Sequence, residues 1–110
     1  MKNIQLSSQQ KKSLRGIAHH LDPVVAVSER GLSEGITEET ERALNDHELI
    51  KVKVFDNDRA VRQEIANELA EKTGAVVLQK IGKIAVLYRK NPNANAKLSN
   101  VSRYVDAKDF

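Results

Sequence analysis

The chain has 110 residues, enough for one domain with a real core, and its 40% hydrophobic and 30% charged residues are the proportions of a globular protein rather than a disordered one. It contains no cysteine, which excludes a disulfide scaffold, a thiolate zinc site and a cysteine nucleophile. Its net charge of +3 is too small to indicate a nucleic-acid partner by itself.

Ser7 and Ser8 are good N-caps and predict a first helix from there to about His20. Leu14, Ile17, Ala18 and Leu21 form its apolar stripe. Lys11, Arg15 and His19, each four apart, form a cationic flank with Lys12 beside them. Gly16 is about 1 kcal/mol poorer than alanine in a helix, so it is a candidate for close approach by another element or by a nucleic acid. Pro23 closes this region, and Val24 to Val27 read as a strand that is apolar on both faces, hence an interior one.

A second helix is expected from Ser33 to Asp46, with Ile36, Thr40, Ala43 and Leu44 inward and Glu38, Glu39, Glu41 and Arg42 outward. In "ELIKVKVF", Ile50, Val52 and Val54 alternate with Leu49, Lys51, Lys53 and Phe55. A third helix follows from Arg59 to Lys72, with Val61, Ile65, Ala66 and Leu69 inward, and stops at Gly74. "AVVLQKIGKIAVLYRK" is a hairpin turning at Gly82-Lys83. From Asn91 the composition becomes that of a polar, weakly ordered tail. The expected organisation is one domain over residues 1–90 and a tail over 91–110. The order α-β-α-β-α-β-β predicts an α/β fold in which helices pack on a four-stranded mixed sheet.

Charge is segregated along the chain. Residues 1–27 carry a net +3 and residues 75–90 a net +4, while residues 28–58 carry −5. That pattern suggests a basic and an acidic face, although solvated surface explains it equally well. No enzyme constellation is present. His19, His20 and Asp22 lack metal-ligand spacing, His47 stands alone at a helix end, and Ser28 has no base partner. Walker and dinucleotide-binding glycine patterns are also absent. The expectation is a non-enzymatic protein without metal or cofactor. The N-terminal MKNIQLSSQQKK has no apolar core of signal-peptide length, and no run approaches a membrane span, so the expected location is the cytoplasm.

In "VSERGLSEG" a strand breaks into a short loop before a helix, an arrangement that can hold phosphate. Glycine admits close approach of backbone amides, and here Ser28-Glu29-Arg30-Gly31 has only the second glycine of a G-x-x-G loop. Arg30 offers a forked cation at the tip, while Glu29, Glu34, Glu38 and Glu39 repel anions nearby. By itself the loop reads as a structural turn. Lys51 and Lys53 carry more weight, because two lysines on the second face of a strand occupy ground where a helix could pack; the competing explanation is protection of an edge strand. Lys80, Lys83, Arg89 and Lys90 on the hairpin are candidates to join them. Aromatics are scarce, so base-by-base stacking on a sheet is not expected, and any RNA would be held by its backbone.

Together, "LRGIAHHLDPVVAVSERGLSEGI", "HELIKVKV" and "KTGAVVLQKIGKIAVLYR" resemble the CRM domain, the chloroplast RNA splicing and ribosome maturation module, in its stand-alone bacterial YhbY form. The resemblance covers about residues 5 to 90. It implies a fold similar to the C-terminal domain of translation initiation factor three, and RNA binding associated with precursors of the large ribosomal subunit. The family's G-x-x-G loop falls on Ser28, Glu29, Arg30 and Gly31. Ser28 in place of the first glycine, and Glu29 where the family often has a polar or basic residue, would both weaken the loop's grip. The expected RNA-binding set is Ser28, Glu29, Arg30, Gly31, Lys11, Lys12, Arg15, Lys51 and Lys53, in a monomer. The rival expectation is a protein-interaction module whose acidic second helix docks a basic ribosomal protein.

Overall fold

Each helix begins where a side chain can satisfy its first free amides. In the computed structural model, which describes residues 6–103, α1 spans Ser8–Ala18 behind a capping box. There Ser7 Oγ accepts from the Gln10 amide at 3.0 Å, and Gln10 Oε1 accepts from the Ser7 amide at 2.9 Å. Ser33 caps α2 (Glu34–His47), and Asp58 caps α3 (Arg59–Thr73). Gly74, at φ +71, ends α3. The strands are β1 (Pro23–Val27), β2 (Leu49–Val54), β3 (Val76–Ile81) and β4 (Ile84–Tyr88). The expected element order is present, although α1 stops at Ala18 and His19-His20 form a turn instead of its last residues.

The sheet order is β1-β2-β4-β3. β1 runs parallel to β2, as a helical crossover requires, and β2–β4 and β3–β4 are antiparallel. Helices α2 and α3 cover one face, where Val25, Val27, Leu44, Ile50, Val52, Leu69 and Leu87 form one core cluster. On the other face α1 packs Leu14, Ile17 and Ala18 against Leu49, Leu78, Val86 and Tyr88.

Two expectations are corrected here. β1 is an edge strand, not an interior one, and only Val25 and Val27 are buried, while Val24 is 44% exposed. A run of valines cannot distinguish a strand buried on two faces from one buried on a single face. Gly16 is exposed, and a Cβ placed there would meet nothing within 4 Å, so no neighbouring element requires it.

Residues 91–103 also depart from the expected weakly ordered tail. Ser99 is fully buried, and Val101 joins the cluster beneath α1. Glu48, buried at the start of β2 with φ +61, anchors this segment: its carboxylate accepts from the Asn91 amide and the Ser99 hydroxyl, both at 2.6 Å. The Asn100 side-chain amide donates to Leu49 O at 2.7 Å, and His47 Nδ1 lies 2.9 Å from Leu98 O. The polar composition hid these contacts because most are hydrogen bonds to backbone rather than apolar burial. Burial, followed by the nearby Glu48 carboxylate, pushes the Tyr88 hydroxyl up to about 12.

Candidate nucleic-acid interface

The α1 face of the sheet is only partly covered. β2 lies between β1 and β4, yet its Lys51 and Lys53 are merely half-buried. Strand register puts Val86 opposite Lys51, and Ile84 opposite Lys53 with Ala26 on its other side. Edge protection cannot explain lysines on an interior strand. Neither belongs to an ion pair among the described residues; Lys53 Nζ instead stands 5.0 Å from the centre of the Phe55 ring.

Beside them the C-terminal end of α1 forms a cleft of about 210 Å3, walled by His19, Lys51, Gln79, Ile81 and Ile84. Lys11, Arg15 and His19 share one side of α1 by their spacing, so His19 brings that cationic row to the cleft. Lys12 sits apart, with Ser8, Gln9 and Ser13 on an outer surface of the helix. Sequence reasoning placed His19 on the flank of α1 but did not find the Gln79, Ile81 and Ile84 wall. Ile81 and Ile84 flank the hairpin turn, and Ile81 is 57% exposed, so an apolar pair beside Gly82 was the available signal.

The Ser28–Gly31 loop follows β1 directly, two residues beyond Ala26, the neighbour of Lys53. It is a tight turn: the Gly31 amide donates to Ser28 O at 2.9 Å, and the Arg30 amide donates to Ser28 Oγ at 3.3 Å. Gly31 sits at φ +85, a conformation that favours glycine. Two of the amides expected to face a phosphate are thus already engaged within the loop, and the exposed Arg30 side chain is its clearest binding group. The same end of the sheet holds the hairpin turn, through Val54 N–H to Lys83 O at 2.7 Å and Phe55 N–H to Val27 O at 2.9 Å.

The hairpin cations do not join Lys51 and Lys53 as a group. Lys80 pairs in register with Ala85, on the α3 side, and its Nζ is 3.2 Å from Asn67 Oδ1 of α3. Arg89 is held by Glu41 at 2.6 Å, Thr73 O at 2.7 Å and Asn45 Oδ1 at 2.8 Å, and so ties β4 to α2 and α3. That contact also removes Glu41 from the acidic outer row of α2 and leaves Glu38 and Glu39 exposed. Among the described residues no cluster of three or more acidic, histidine or cysteine side chains is placed to hold a metal, and no helix is long and apolar enough to cross a membrane.

Comparison with known proteins adds a second line of information. The family model described as the CRS1 / YhbY (CRM) domain matches residues 6–89. A Pseudomonas aeruginosa protein named a probable RNA-binding protein is 50% identical over 99 residues, covering 90% of this chain and 95% of its own. A Haemophilus influenzae protein named as RNA-binding is 50% identical over 93 residues, covering 84% and 94%. The solution structure of a proposed RNA-binding protein of Staphylococcus aureus superposes with a TM-score of 0.72 at 34% identity, over 81% of this chain and 93% of that one. These descriptions concern RNA binding and indicate no catalytic family.

Proposed function

The chain belongs to the CRS1 / YhbY (CRM) domain family, and from that premise we propose that it binds RNA without catalysing a reaction, and that its target is ribosomal RNA in precursors of the large subunit. The observation that carries the RNA reading is the pair Lys51 and Lys53. Two cations without carboxylate partners among the described residues occupy an interior strand, on the part of its face that α1 leaves open, between α1 and the Ser28–Gly31 loop. Holding unpaired charge on a partly apolar surface favours an anionic partner. Arg30 extends the contact at the loop, with Ser28, Glu29 and Gly31 setting its position; Lys11 and Arg15 supply the flank on α1, while Lys12 stands apart from it. The ribosomal part of the proposal draws on the family resemblance. The protein would act in the cytoplasm as a monomer.

With about five cations on phosphate, the logarithm of affinity falls against the logarithm of salt with a slope near −3 to −4, at roughly −0.7 per contact. Arg30→Glu and the double substitution Lys51→Glu/Lys53→Glu should weaken binding and flatten that slope while the protein stays folded. Unchanged affinity and slope in both variants would remove this face from the account. In a sucrose gradient of cell lysate, protein at or just lighter than the large subunit, stripped by raised salt, supports the ribosomal target. Protein confined to the top of the gradient argues against it.

A further inference from the structure

Arg62 and Arg89 are both half-buried arginines, and they are held differently. Arg89 meets the Glu41 carboxylate. Arg62 Nε donates to Gly82 O and its Nη1 to Asp56 O, each at 2.9 Å, and neither acceptor is charged. Arg62 belongs to no ion pair among the described residues, so none of their carboxylates balances its charge. A partly desolvated guanidinium in that condition favours an anion beside it. Its two carbonyl contacts also fix the group in place, which lowers the entropic cost of binding a ligand.

Arg62 lines a cleft of about 280 Å3 between the first turns of α3 and the β3–β4 hairpin, together with Arg59, Gln63, Lys80 and Lys83, over Val54. Among the described residues no carboxylate lines this cleft. In the adjoining turn, Asp58 Oδ1 accepts from the Ala60 and Val61 amides, and Asp56 Oδ1 from the Asp58 amide. Lys80 and Lys83 rest on the neutral side chains of Asn67 and Asn57 at 3.2 and 3.4 Å, contacts a stronger acceptor can replace. Two arginines and two lysines lining one cleft, with no carboxylate among its described lining residues, match the chemistry of a phosphate group.

We propose that this cleft is a second phosphate-binding site and takes a backbone phosphate of the same RNA, so that the strand on the open face continues round the hairpin tip to the α3 side. The proposal rests on the RNA-binding reading above. Continuity comes from the hairpin itself: Ile84 lines both clefts and lies opposite Lys53, and the next residue of β2, Val54, is bonded to Lys83.

The test keeps Arg62, which braces the hairpin, and replaces the other three cations in one variant, Arg59→Gln/Lys80→Gln/Lys83→Gln. The probe is an RNA hairpin with a single-stranded overhang, titrated at several salt concentrations. The expected result is binding weaker by about tenfold at low salt and a salt slope shallower by roughly 2, at about 0.7 per lost contact, with the thermal midpoint unchanged. The Gln63 and Gly82 amide resonances should shift when RNA is added to the native protein and stay in place in the variant. Native affinity and slope in this variant, combined with lost binding in Lys51→Glu/Lys53→Glu, would overturn the second site and leave the open face standing. Loss in this variant with full binding in the lysine pair would support the cleft and overturn the open face. A native protein that does not bind the RNA would overturn both.

Discussion

Under α2 and α3, Val27, Leu44, Leu69 and Leu87 are 0% exposed, and they pack with Val25, Ile50 and Val52 in one apolar cluster. On the opposite face the same strands carry Lys51 and Lys53 half-buried and Ile81 at 57% exposure. The difference follows from dimensions. Four strands at about 4.8 Å spacing make a sheet some 19 Å wide, and a helix with its side chains covers roughly 10 Å. Two helices therefore close one face, and α1 alone, with residues 99–101 beside it, closes about half of the other. What remains open is where Lys51 and Lys53 stand, so the same shortage of helix that limits the core supplies this candidate binding surface.

Substitutions can break or sharpen that contrast. The largest effect belongs to the closed face, where Leu69→Ala should lower stability by about 3 kcal/mol through the lost burial and the cavity left behind. Ile81→Ala on the open face should cost no more than about 0.5 kcal/mol. Denaturant unfolding of the two variants measures both, and equal losses would mean that the second face is closed in solution.

The next effect is pH-dependent and sits at the covered end of the α1 face. The Tyr88 hydroxyl is raised from 10.0 to about 12, so its favourable contribution is complete below pH 10 and is lost as pH rises towards 12. At about 1.4 kcal/mol per unit, the alkaline loss is on the order of 2 to 3 kcal/mol. Tyr88→Phe should remove that part of the decline, read from unfolding midpoints between pH 9 and 12. An identical alkaline profile in the variant would assign the loss elsewhere.

The Ser99 and Asn100 anchor should be worth less. Ser99→Ala/Asn100→Ala leaves Glu48 and Leu49 O short of donors and should cost about 2 kcal/mol, with faster amide exchange in α1. The smallest stability effect is expected from Lys51→Met/Lys53→Met, within about 0.5 kcal/mol of the native protein and accompanied by weaker RNA binding. A large stability loss there would make the lysines structural.

Much of this was legible locally. Ser7, Ser33 and Asp58 announce helix starts because capping is decided within three residues, and Gly74 and Gly82 mark a stop and a turn because they adopt positive φ. The alternation in β2 separated Ile50, Val52 and Val54 from Lys51 and Lys53 correctly, since a strand turns successive side chains to opposite faces. The loop was legible as a turn, whereas the bonds that engage its amides were not.

The amino-acid sequence by itself determined the seven elements, their order and the family, because caps, periodicity and turn residues act over short range. Tertiary structure alone decided that β1 lies at the edge, that Ser99 and Val101 are buried, and that Arg89 belongs to Glu41 while Arg62 is held by the carbonyls of Gly82 and Asp56. It also decided that the hairpin lysines face away from Lys51 and Lys53. Each of these depends on which elements become neighbours, over separations of 16 to 51 residues for the Arg89, Glu48 and Leu49 contacts. A pattern within one element cannot carry that information, because the same lysine or serine is compatible with solvent, a core or a ligand until its neighbours are in place.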